Sequence, residues 1–247
     1  MLDLARKSIA APRLLSPRDL EPLRAVVGDA AIDYTLVLGG FHFINRIADL
    51  LHVDSEALPE GLRRFEIFRR FGVGIAARMF SRIDLANRRY TQSFEEMLAA
   101  WPRGATSAVS GGASLASCLE PIRVRPKAGE ILRLTLEERD SRSSLDRELL
   151  RRIHRGVEAA LPSRPDEAEG FHPRPADPID AFVFVGTRYA ARTTQRMIEA
   201  LRKNGFDDVG ILDLAIAVAD ANQWARTHRL LGLECGLFSL GKTSAGD

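Results

Sequence analysis

The chain has 247 residues, 35 basic and 33 acidic, for a net charge of +2, so total charge selects neither nucleic acid nor an acidic surface as a partner. A hydrophobic content of 45% suits a globular core. Two distant cysteines, Cys118 and Cys235, form neither a disulfide framework nor a zinc pattern, and the longest apolar runs, 34–44 and 209–219, reach about half a membrane span. A reducing cytoplasm is therefore the expected compartment.

The first helix start lies at Ser16-Pro17-Arg18-Asp19. Ser16 can cap, Pro17 suits the first turn and Asp19 occupies the capping-box position. That helix is expected to end near Gly28. A second helix is predicted over 29–52, apolar on all sides in its middle and hence central. Gly39 and Gly40 each cost roughly 1 kcal/mol there relative to alanine, so another backbone is expected to approach closely. Residues 58–83 carry Phe65, Phe68, Ile75, Met79 and Ile83 at helical spacing, with an arginine-rich face between 63 and 89. A short helix over 93–101 begins at Ser93.

Residues 103–117, rich in Gly, Ser and Ala, read as a loop. Residues 121–137 admit two readings. Alternation of Leu132, Leu134 and Leu136 with polar residues, after the turn-like Pro126-Lys127-Ala128-Gly129, fits a β-hairpin, whereas 130–138 also fits a helix. A helix over 143–160 has Ser143 and Asp146 at capping-box spacing and a stripe of Leu145, Leu149, Ile153 and Val157. Prolines from 162 to 178 stiffen a connector. Asp177-Pro178 then starts a helix expected to run to Lys203 and to end at Asn204-Gly205. Asp207 and Asp208 cap the last helix, which stops at Gly232, and residues 236–247 are expected to fray.

The second and last of these long helices are copies. At a constant offset Asp33 falls on Asp213, Arg46 on Arg226, Leu50-Leu51 on Leu230-Leu231 and Asp54 on Glu234. Helix pairs that repeat in this way bury their apolar faces against one another. The expected architecture is all-α, with 1–101 and 143–235 packed as one domain about a pseudo-twofold axis and 102–142 inserted as a loop or hairpin. Under that symmetry the Asp and Arg of each copy face the other copy. Arg46 and Arg226 are expected to be partly buried, with carboxylate or carbonyl partners, because an unpaired buried guanidinium is costly.

The run Phe41-His42-Phe43-Ile44-Asn45-Arg46, closed by Leu50-Leu51, resembles the final helix of alkylhydroperoxidase D-like proteins, whose superfamily includes the carboxymuconolactone decarboxylases. The second copy, with Asn222 and Arg226 at matching positions, is similar to the same region. The resemblance covers 4–54 and 182–234, under half of the chain. It implies an all-helical fold and a homo-oligomer. Peroxidase members use a Cys-x-x-Cys pair, which this sequence lacks, so their thiol chemistry transfers to no residue here.

The candidate site residues are His42, a neutral-range proton carrier in an apolar helix, and Asn45, Arg46, Asn222 and Arg226, able to anchor a small anion. For each, a purely structural role competes: a core histidine, and side chains that tie the repeats together. Cys118 is the candidate thiol, yet nothing near it in sequence supplies a cation before Arg123 to lower its pKa. His228, near a helix end, would suit the dipole as a cation. The five histidines show no short-spaced pair, so no metal or cofactor is expected. Gly72-Val73-Gly74 matches a dinucleotide pattern but lacks the preceding strand. The arginine face could meet a membrane surface, nucleic acid or an acidic partner, but its interspersed acids favour a solvated face. The reading is therefore a non-thiol binding or assembly protein. The alternatives are a superfamily enzyme using a lone cysteine or His42, and a basic-helix docking module.

Overall fold

Every described element is helical, as the computed structural model shows, so the chain is all-α. The structure describes residues 2–52, 119–142, 144–164 and 174–233. The chain divides into two compact units, Met1–Val53 with Gly104–Asp247, and Asp54–Arg103. All described residues belong to the first unit. The helices expected over 58–83 and 93–101, the arginine-rich face, the Gly72-Val73-Gly74 motif, Cys118 and Cys235 lie outside the described residues.

The first repeat comprises α1 (Leu2–Ala10), 3-10 turns at Pro12–Leu14 and Pro17–Leu20, α2 (Glu21–Val27) and α3 (Ala30–Leu50). Two bridging helices follow, α4 (Pro126–Arg142) and α5 (Arg147–Ala160). The second repeat is α6 (Pro178–Arg188), a 3-10 turn at Ala190–Arg192, α7 (Gln195–Lys203) and α8 (Asp208–Leu231). The duplication thus extends beyond the central helices to the whole order of helix, 3-10 turn, helix, long helix. The sequence had not marked α1 as a helix.

Local chemistry sets most of the boundaries. The Ser16/Asp19 capping box forms, and Asp177 and Asp207 accept hydrogen bonds from the first-turn amides of α6 and α8. Gly232 closes α8 in the left-handed region. Three expectations need correction. The segment 121–137 forms no hairpin: a 3-10 turn at Glu120–Ile122 leads into α4, where Glu130 and Arg133 pair one turn apart at 2.6 Å. The helix expected from 143 begins at Arg147, because Asp146 is its cap and accepts from Leu149 N at 2.8 Å. The helix expected to run unbroken to Lys203 stops at Arg188. Tyr189 leaves helical geometry, and the Thr193 hydroxyl donates back to Ala190 O at 2.7 Å, a local bond that competes with helix continuation.

The long helices α3 and α8 pack antiparallel. Thr35 and Gly39 lie against Thr227 and Leu230, while Leu50 lies beside Ile211. Gly39 marks the closest approach: a Cβ there would meet Thr227 Oγ1 at 3.1 Å and Gln223 Nε2 at 3.2 Å. Gly40 has open space at its Cα, so the expected close approach applies to Gly39 alone.

The repeats exchange core residues. Leu50, at the end of α3, is fully buried in the second repeat's cluster with Phe182, Leu214, Val218 and the α5 residues Ile153 and Val157. Its counterpart Leu230, at the end of α8, is buried in the first repeat's cluster with Leu20, Leu23, Ile32 and the α4 residue Leu132. Neither repeat completes its own core. No described helix is long and apolar enough to cross a membrane.

Candidate functional site

The antiparallel seam brings His42, Arg46, Asn222 and Arg226 together. Asn45, on the same helix, points out: it is exposed and takes no part. Arg46 and Arg226 are each more than nine-tenths buried. Each reaches across to the opposite repeat. Arg46 Nη1 donates to Gly186 O and, at 3.0 Å, to Thr187 O, in the last turn of α6. Arg226 Nε donates to Ser8 O at 3.0 Å, in the last turn of α1, and its Nη1 donates to Asn222 O at 2.7 Å and Oδ1 at 3.2 Å.

The Ser8, Gly186 and Thr187 carbonyls lie in terminal turns, where a helix leaves its last C=O groups without intrahelical partners and carries the negative end of its dipole. Each guanidinium therefore caps the first helix of the other repeat. Asn222 completes the tie, donating from Nδ2 to Thr187 Oγ1 at 3.2 Å and to Val218 O at 2.9 Å.

The aspartates behave differently from the expectation. Asp33 and Asp213 do not face the opposite arginines. Asp33 pairs with Arg125 just before α4, and Asp213 accepts from the Ser144 amide at 2.9 Å and from its hydroxyl, just before α5. The two equivalent acids thus anchor the two ends of the bridging segment. They leave the seam without a carboxylate: among the described residues neither Arg46 nor Arg226 has an ion-pair partner. Arg46 Nε is buried with no hydrogen bond.

The electrostatics follow. Burial lowers the Arg46 pKa to about 10, against an opposing pull from Asp49. Burial and the charges of Arg46 and Arg229 lower Arg226 to about 9, against an opposing pull from Glu158. Both remain cationic at neutral pH. His42 is lowered to about 3, first by burial and then by Arg226 and Arg46, so it stays neutral across the physiological range. His228 is also lowered, by burial and Arg229, which disfavours the cationic form that would suit the helix dipole, and its Nδ1 lies 2.7 Å from Trp224 O.

A cavity of about 20 Å³ opens beside this cluster, lined by Ser8, Thr35, Gly39, His42, Gln223 and Arg226 among others. That is room for about one water-sized body. A larger cleft of about 410 Å³ lies between the end of α3, α7 and the start of α8. Its rim arginine, Arg202, is already paired with Asp208 at 2.8 Å, so its charge is compensated. Among the described residues no three His, Cys, Asp or Glu side chains converge as a metal site.

Compared with known proteins, the chain matches no family model, no curated protein and no solved structure.

The main-chain members of the seam, Ser8 O, Gly186 O and Thr187 O, left no trace in the sequence, because any residue supplies a carbonyl. Only the register between the repeats could have pointed to them.

Proposed function

We propose that this chain is a non-thiol, degenerate member of the alkylhydroperoxidase D-like superfamily, working in the cytoplasm as a helical binding and assembly protein. Its seam between α3 and α8 holds one small inorganic anion. The duplicated helix order and the absence of any Cys-x-x-Cys support the first part.

The observation that carries the second part is the pair of buried guanidiniums without a carboxylate. Two helix C-termini offset roughly half an elementary charge each. Up to about one positive charge is left in a low-dielectric seam, reduced by the longer-range pull of Asp49 and Glu158, beside a cavity of water size. A monovalent halide-sized anion matches the charge and the volume, and because the cavity wall is otherwise apolar the Arg226 guanidinium is the group that would have to hold it. An extended organic carboxylate fits only the charge.

The test is thermal unfolding at fixed ionic strength, with sodium gluconate progressively replaced by sodium chloride or bromide. A ligand at a hundred times its Kd stabilises by about 2.7 kcal/mol, which raises Tm by roughly 5 °C in a chain of this size. The expected result is a saturable rise with halide. Identical melting in gluconate and chloride contradicts the reading.

A further inference from the structure

We infer that the outer face of α3 seats the same face of a second copy of this chain, in an antiparallel pairing about a twofold axis. The inference does not depend on the anion reading.

Tyr34, Val37, Leu38, Phe41 and Ile44 recur at helical spacing along one side of α3. All five are exposed, Phe41 and Ile44 at 62% and 64%. An unbroken apolar row of this kind is a recognition feature, unlike scattered exposed leucines.

The internal repeat supplies the comparison that a single helix lacks. On α8 the equivalent positions are Leu214, Ala217, Val218, Ala221 and Trp224, and every one is buried. Four of them lie in the cluster that α5 closes with Ile153 and Val157. The same helix face is thus covered in one repeat and bare in the other. Helix packing already satisfies it once within the fold.

Three properties select a second copy as the cover. The five side chains expose on the order of 500 Å² in a row, so two copies bury roughly 1,000 Å², near the lower bound of a specific interface. From Tyr34 to Asn45 the only ionisable groups are Tyr34 itself and His42, and His42 is neutral and turned into the seam. Stripe against stripe therefore meets no like charge. A linear apolar row on one straight helix is self-complementary under a twofold axis, as a closed dimer requires.

The experiment is sedimentation velocity on the full chain between about 1 and 100 µM, wild type against Phe41→Lys and Ile44→Lys, with circular dichroism to verify folding. Val37→Lys serves as an independent variant should either misfold. The expected result is a wild-type dimer that each lysine converts to a folded monomer, lowering association at least 100-fold. A wild type that stays monomeric at 100 µM, or a lysine variant as dimeric as wild type, overturns the proposal.

Discussion

Replacing His42 by asparagine, the residue at the equivalent position of α8, is expected to make the protein markedly more resistant to acid. In the unfolded chain this histidine takes up a proton near its ordinary 6.5, and in the fold only near 3. Below pH 6.5 the unfolded state therefore binds more protons than the native state. Stability falls by about 1.4 kcal/mol per pH unit from this group alone, down to pH 3, and it contributes nothing to pH dependence above 6.5. At pH 4.5 the wild type should have lost about 3 kcal/mol that His42→Asn keeps, while the two differ little at pH 7.5. Urea unfolding of both proteins at these two pH values measures the difference. Parallel pH profiles would show that His42 is solvated and remote from Arg226 and Arg46. His228, lowered in the same direction, leaves a residual slope in the variant.

The other large effect is expected at the exchanged leucines. Leu50→Ala and Leu230→Ala each remove a buried side chain from the core of the opposite repeat and should cost about 2–5 kcal/mol. Collapse around Leu50 is restricted. A Cβ at Gly186 would lie 2.9 Å from Leu50 Cδ2, so α6 already rests directly on this side chain, and a cavity there closes poorly. Because each leucine belongs to the other repeat's core, both variants should melt in one transition shared by α1–α3 and α6–α8. Hydrogen exchange should register Leu50→Ala as weaker protection in α6 and α8, far away in sequence. A two-step melt in which only the mutated repeat loosens would contradict the exchange of core residues.

Much of this was legible because it is written twice. The repeated arginine, the double leucine and the capping aspartates fixed which helices are central and where they begin. A charged residue inside an apolar helix also forces a partner of some kind, so the burial of Arg46 and Arg226 followed from sequence. Which partner did not follow. The orphan carbonyls of α1 and α6 accept a guanidinium's hydrogen bonds while offsetting only part of its charge, and the aspartates that looked like natural partners were taken by Arg125 and Ser144 instead. Asn45 was misplaced for a geometric reason: one residue along a helix is a rotation of about 100°, enough to carry it from the Arg46 face to solvent.

α4 was ambiguous because its leucines alternate, a pattern of period two that a strand shares. Tertiary burial of Ala128 and Leu132 against Ile32 decided for the helix. The break at Tyr189 was not legible, since Thr193 and Thr194 are tolerated within helices as well as between them. The break exposes Thr193 O, which His52 then bonds through Nε2.

The most direct test of the packed repeats is a designed disulfide between α3 and α8. Gly39→Cys and Gln223→Cys, combined with Cys118→Ser and Cys235→Ser, place two thiols where a Cβ at 39 would lie 3.3 Å from Gln223 Cγ. Mild oxidation should join them almost completely within one chain, read as a mass loss of two hydrogens and a faster band on a non-reducing gel. If the thiols stay free, or link only between chains, the two central helices do not share a seam.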